Sequence, residues 1–207
     1  IIGLIVGVVI GIATDYFTND QRRPVQYVAN ASKSGPAFTI ISGSSYGFLS
    51  VFPALLGIAV SALLAYTVTQ GIDPNTNLDS LFGISMAAVG MLSIVAMIIS
   101  NDAYGPIVDN ARSLVEMGNL GEEALDITDA LDSADNTVKA INKGFAISAA
   151  GLTVIALLGA FLSEANDILV SKGLEPIVGF DIMSPTVFFG LIVGAAVPAV
   201  FSAMLML

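Results

Sequence analysis

Cysteine does not occur in the 207 residues, so neither a disulfide framework nor a thiolate metal site is available. Histidine is missing too, which removes imidazole acid–base chemistry from this stretch of chain. Charge is scarce: Asp, Glu, Lys and Arg make up 12% of the residues, about half the share of a typical soluble domain. Cations are scarcer still, with seven Lys and Arg against 17 Asp and Glu and a net charge of -10. That balance argues against nucleic acid as a partner, because such affinity rests on cationic contacts to phosphate. It suits a site for cations, or for an anion delivered with its metals. No Walker A string and no H-E-x-x-H motif is present, so the commonest phosphate-loop and zinc-hydrolase chemistries have no support.

What the chain has instead is apolar length. Hydrophobic residues make up 55% of it, and its mean hydropathy is +0.85. Several runs reach the roughly 20 apolar residues that a helix needs to span a bilayer. None alternates in the manner of a transmembrane barrel strand. The predicted class is an all-α polytopic membrane protein, with spans at 1–13 (truncated), 37–69, 81–111, 137–162 and 182–207. No basic region or small-residue cleavage site marks a signal peptide, and both ends fall inside apolar runs. The chain is expected to be an internal fragment of a longer one.

The few cations orient it. Arg22, Arg23 and Lys33 follow the first run, Arg112, Lys139 and Lys143 cluster at the turn between the third and fourth, and Lys172 stands alone after the fourth. The loop Gln70–Ser80 has none. The positive-inside rule then makes the cation-rich side cytoplasmic. Small residues recur at packing intervals, as in Gly3, Gly7 and Gly11, Gly83 and Gly90, and Gly190 and Gly194. Such faces allow close helix approach.

Between the third and fourth runs lies the acid-rich segment 102–143. Asp102, Asp109 and Glu116 are seven apart, an interval that falls only about 20° short of two helical turns. On a continuous helix they line one stripe, running from membrane depth into the cytoplasm. Carboxylate oxygens are the preferred ligands of Mg²⁺, and an intramembrane acid is a functional candidate by default. Gly105-Pro106 lies between the first two acids, where proline bends a helix. Asp135 and Asn136 are good N-cap residues and are expected to open the fourth span. Asn136, Lys139 and Lys143 then share one helical face. A lysine there can take the place of a bound monovalent cation beside phosphate oxygens. Asp126, Asp129 and Asp132 do not follow a calcium-loop pattern and are expected in a solvated loop or short helix.

The string D-A-Y-G-P-I-V-D-N-A at 102–111 resembles the DAYGPIADNA signature of membrane-integral, ion-pumping pyrophosphatases. T-D-A-L-D at 128–132, N-T at 136–137 and K-G-F-A-I at 143–147 follow at that family's spacing. T-D-Y-F-T at 14–18, R-P-V-Q at 23–26, G-I-S-M-A-A-V-G-M-L-S at 83–93 and G-L-I-V-G-A-A-V-P at 190–198 are also similar to it. The resemblance covers essentially the whole chain. It implies a homodimer of sixteen-helix subunits in a prokaryotic cell membrane, hydrolysing Mg-pyrophosphate on the cytoplasmic side to drive H⁺ or Na⁺ across. This chain corresponds roughly to helices nine to thirteen.

By the same resemblance, Asp109 matches a Mg-pyrophosphate-binding aspartate and Asp102 an aspartate at the site and its ion-coupling network. Asn136 matches a site asparagine and Lys143 a lysine near the substrate. Lys139 falls where potassium-independent members have lysine, which implies a potassium-independent pump. Asp135 replaces the usual glycine before the site asparagine, Val138 a threonine and Asn142 a Gly or Thr. Arg112-Ser113 replaces a Gly-Gly pair, so the helix there should be stiffer and locally more basic. The family's D-x-x-x-D-x-V-G-K motif and its late Lys/Asp helices are not in this sequence, so the chain alone is expected not to hydrolyse pyrophosphate. The competing reading is a secondary transporter bundle without hydrolysis, its substrate held near the midplane. Acids at the cytoplasmic end of the third span disfavour it.

Overall fold

The computed structural model describes residues 1–71 and 78–207, and most of the cation-free loop 70–80 lies outside them. The described elements are helical: α1 (Ile2–Thr18), α2 (Arg23–Ser32), α3 (Pro36–Thr69), α4 (Leu78–Met91), α5 (Val95–Met117), α6 (Glu122–Ser171) and α7 (Pro185–Met206), with a 3₁₀ turn at Leu92–Ile94. Five helical stretches are long and apolar enough to cross a membrane: Ile2–Ser32, Pro36–Thr69, Leu78–Met117, Glu122–Ser171 and Pro185–Met206. The chain is thus an all-α, multi-pass integral membrane protein. It divides into two compact units, Ile1–Gly159 and Ala160–Leu207.

Local chemistry sets the breaks. After α1, the Asn19 side chain accepts from the Gln21 amide at 2.9 Å and donates to Asp15 at 3.0 Å, a short-range turn that competes with further helix. Pro24 opens α2 and Pro36 opens α3, where the missing proline N–H costs nothing. Gly35 takes the positive φ of 117° that turns the chain between them. α5 ends in a Schellman arrangement. Asn119 adopts a left-handed φ of 49°, its amide donates to Glu116 O and the Leu120 amide to Val115 O, both at 3.2 Å. The loose carbonyls of the last turn are satisfied in this way. Glu122 and Glu123 then stand in the first turn of α6, on the favourable side of its dipole.

The first unit is held by a core in which alanines alternate with larger apolar side chains. Ile10, Ala65, Ile84, Ala87, Ala88, Met91, Ile98, Phe145, Ala149 and Leu152 form one buried cluster. A side chain at Gly3 would collide with the Ala87 carbonyl, and one at Gly7 or Gly11 would come within 2.6 and 2.9 Å of the Phe145 ring. The glycines of α1 therefore bring backbone against α4 and the Phe145 ring of α6, as close-approach faces in membranes do. Gly83 similarly meets Thr69 and Ala65 of α3. In the second unit, the Asn166 side chain brackets the Ile177 backbone, accepting its amide at 2.7 Å and donating to its carbonyl at 2.9 Å. Phe161 and Phe180 stack with ring centroids 6.1 Å apart. Gly190 and Gly194 in α7 face open space among the described residues.

Three sequence expectations are corrected here. Asp135 and Asn136 do not cap a helix; they lie deep inside α6, which already starts at Glu122. Asp126, Asp129 and Asp132 sit on that same helix rather than in a loop or a short helix of their own. The reason is that no glycine or proline falls between Glu122 and Asn142, so nothing stops helix propagation. Arg112 does not make its surroundings more basic, because Asp129 and Glu116 take up its guanidinium.

Candidate functional site

The site is a seam between α5 and α6. Ile98, Asp102, Gly105, Asp109 and Arg112 step along α5 at alternating intervals of four and three. On α6 the answering residues are Asn142, Lys139, Asp135, Asp132 and Asp129. This is the spacing at which two helices keep one face toward each other. Lower on α6 the same stripe continues as Phe145, Ala149 and Leu152, all in the buried core. One helix face thus changes from apolar packing to titratable chemistry partway along its length.

At the centre, the Lys139 ammonium contacts Asp109 Oδ2 at 2.9 Å across the seam and Asp135 Oδ2 at 2.5 Å on its own helix. The Asp135 side chain is completely buried and that of Lys139 is 21% exposed. Asp132 completes the group: one carboxylate oxygen each from Asp109, Asp132 and Asp135 lie within 4.8 Å of one another. Three carboxylates against one ammonium leave an excess of negative charge, which a further cation would relieve. The donor set is all carboxylate oxygen, the chemistry of Mg²⁺ rather than of softer metals. Oδ1 of Asp132 and Oδ1 of Asp135 are buried and accept no hydrogen bond among the described residues. Such atoms are costly unless something pairs with them. The cluster can hold a metal ion on these grounds.

Around this centre the seam is tied at two further heights. The buried Asn142 amide donates to the Ile98 carbonyl at 3.3 Å and to Asp102 Oδ1 at 3.4 Å. At the other end, Arg112 donates to Asp129 at 2.7 Å and to Glu116 at 2.5 Å. Asp109, Arg112, Asp129, Asp132 and Asn136 line an open cleft of about 650 Å³. The turn after α1 meets the same end of α6, with the Ser133 hydroxyl donating to Asp20 at 2.8 Å. That contact brings the turn that carries Arg22, and the start of α2 at Arg23, to the end of α6 that faces Arg112.

Of the residues singled out in the sequence, Asp109 and Lys139 are in direct contact. Asn136 lies on the cleft wall and reaches Asp132 at 3.4 Å. Asp102 is exposed on the same helix as Asp109 and is met by Asn142. Lys143 is exposed and makes no ion pair among the described residues. Asp132, Asp135 and Asn142 were not singled out as site residues, although their 3-4-3 spacing around Lys139 was there to be read. The string Gly43-Ser44-Ser45-Tyr46-Gly47 matches a serine-hydrolase elbow by spelling. It lies in mid-α3 without the strand and turn that such an elbow needs.

The whole chain, residues 1–207, matches the family model described as inorganic H⁺ pyrophosphatase. The chain belongs to this family of membrane pyrophosphatases. It is 42% identical over 204 residues, 99% of its length, to a Clostridium tetani protein that bears the name of a K(+)-stimulated pyrophosphate-energized sodium pump. It is 38% identical over 201 residues, 97% of its length, to a K(+)-insensitive pyrophosphate-energized proton pump of Caldanaerobacter subterraneus. It is 38% identical over 205 residues, 99% of its length, to one of the same name from Methanosarcina mazei. The chain spans 28%, 28% and 29% of the length of these three relatives.

Proposed function

We propose that this chain is the part of an ion-translocating pyrophosphatase that supplies one wall of its Mg-pyrophosphate site. The parent is then a dimer of sixteen-helix subunits that hydrolyses Mg-pyrophosphate on the cytoplasmic face and drives H⁺ or Na⁺ across a prokaryotic cell membrane. The observation that carries this reading is the Asp109–Lys139–Asp135 contact beside Asp132. It holds acids and a fixed ammonium together at the head of two membrane-spanning helices. A bundle that only carried a solute would place its polar groups near the midplane.

In this reading Asp109 and Asp132 hold the metal, which when bound supplies charge neutralisation for the substrate's phosphate oxygens. Asn136 faces the cleft as a neutral donor to those oxygens. Lys143, exposed a turn further along α6 and in no ion pair among the described residues, is the lysine near the substrate. Asp102, tethered by Asn142, sits below the site on the path toward the bilayer and takes part in ion coupling. Lys139 places one positive charge where a potassium ion would otherwise be needed, and the pump is potassium-independent.

Full-length protein in vesicles tests this directly. Mg-dependent phosphate release and pyrophosphate-driven ion uptake are expected, both unaffected by K⁺, and Asp109→Ala is expected to abolish both. Activity that survives Asp109→Ala would remove Asp109 from the site, and uptake that requires K⁺ would overturn the role given to Lys139.

A further inference from the structure

Lys139 reaches Asp109 from the neighbouring helix, and a lysine side chain does not hold such a position unaided. Its stem has four rotatable bonds, and fixing them costs up to about 2 kcal/mol of rotamer entropy. Two features of the seam reduce that freedom. One is Asp135, a turn earlier on α6, whose side chain is completely buried. A carboxylate out of water is stable only when paired, and the partner within reach is the Lys139 ammonium at 2.5 Å. The other is Gly105 on α5. A Cβ atom there would overlap the Lys139 Cε and would lie 2.8 Å from both Lys139 Nζ and Asp135 Oδ2. The missing side chain of Gly105 is the opening through which the lysine stem passes to Asp109.

We infer that Asp135 is a positioning residue that fixes the Lys139 ammonium against Asp109, with Gly105 as the notch that admits it. In this role Asp135 acts through Lys139: its Oδ2 holds the ammonium, which in turn meets Asp109. The buried carboxylate makes the ammonium a permanent part of the site rather than one of several lysine rotamers. A wandering lysine would leave Asp109 without its fixed positive charge, and a monovalent cation from solution would then enter beside it. This inference rests on the reading of Lys139 as the built-in cation.

The experiment uses the full-length protein in vesicles with two readouts. One is pyrophosphate hydrolysis with and without K⁺. The other is the rate at which an amine-directed acylating reagent modifies Lys139, relative to the exposed Lys172. The parent is expected to ignore K⁺ and to protect Lys139. Asp135→Asn, which keeps the shape and removes the charge, is expected to gain a K⁺ stimulation of about tenfold. That ratio corresponds to ~1.4 kcal/mol, near the low end for a charge-assisted hydrogen bond. Its Lys139 is expected to be modified at a rate approaching that of Lys172. Gly105→Ala, made on the other helix, is expected to do the same and decides the question if Asp135→Asn does not fold. If Lys139→Ala becomes K⁺-dependent while Asp135→Asn and Gly105→Ala keep the parent's indifference and protection, Asp135 has no positioning role and the Lys139 reading stands. If the parent needs K⁺, or Lys139→Ala is as indifferent as the parent, the Lys139 reading fails and takes this inference with it.

Discussion

A buried aspartate next to a half-buried lysine sets an unequal pair of mutational costs. Removing Lys139 leaves the Asp135 carboxylate in a protein interior without its counter-charge, a loss of about 3–5 kcal/mol for a broken buried pair. Removing both costs much less, because no stranded charge remains. Thermal unfolding of the full-length protein in detergent is therefore expected to fall sharply for Lys139→Ala and to recover most of that loss in Lys139→Ala/Asp135→Ala. A double variant no more stable than the single one would mean that Asp135 is not paired as described. Arg112 should behave differently. Its partners Glu116 and Asp129 are 58% and 49% exposed, and ion pairs of that kind contribute roughly 0–1 kcal/mol. Arg112→Ala is expected to leave the unfolding midpoint almost unchanged, and a fall comparable to that of Lys139→Ala would contradict the distinction.

At the level of elements, α1 has little room for added bulk where it meets α4. Its Gly3 faces the Ala87 backbone, which cannot rotate away as a flexible side chain can. Gly3→Ala is expected to cost about 1–3 kcal/mol, the usual penalty of overpacking. This is opposite in sign to the roughly 0.5–1 kcal/mol that Gly→Ala gains in an unhindered helix. A stabilised Gly3→Ala variant in a thermal unfolding assay would disprove the close approach of α1 and α4. The apolar runs, the close-packing glycines of α1 and Gly83 of α4, and the helical continuity of α5 through Asp102, Asp109 and Glu116 were legible, because each rests on a period that sequence displays; Gly190 and Gly194 share that period and meet nothing among the described residues. The start of α6 was not. Asp135 and Asn136 look like caps in isolation, since short polar side chains favour helix starts, but a cap preference is local and weak beside an uninterrupted run of helix formers. The informative signal was the Gly118–Gly121 stretch, the one breaker between the two long helices. The break at Leu92–Ile94 was also illegible, since it contains neither glycine nor proline. The site was half legible. The stripe Asn136–Lys139–Lys143 caught Lys139, but the face that meets α5 runs through Asp132, Asp135, Lys139 and Asn142. Which of two overlapping stripes points inward is a matter of packing, not of spacing.

For the molecule as a whole, the proposal makes the seam one wall of a larger site. Three carboxylates and one lysine on two helices would not surround a polyanion with its metals, and the chain spans 28% of the length of the Clostridium tetani and Caldanaerobacter subterraneus relatives. Residues 1–207 alone, in vesicles, are expected to release no phosphate from Mg-pyrophosphate above a no-protein control. Measurable turnover would show that these residues suffice for hydrolysis.

The Phe145 ring lies over Gly7 and Gly11 of α1, six residues and so about 9 Å along α6 from Lys139. A ring seated in a groove resists turning, so this contact is one of the restraints on the azimuth of α6 about its own axis. Any twist of α6 swings Lys139 tangentially, away from or toward Asp109. A substitution that tightens or loosens the groove on α1 is therefore expected to shift the ion pair by torsion, without touching a charged residue.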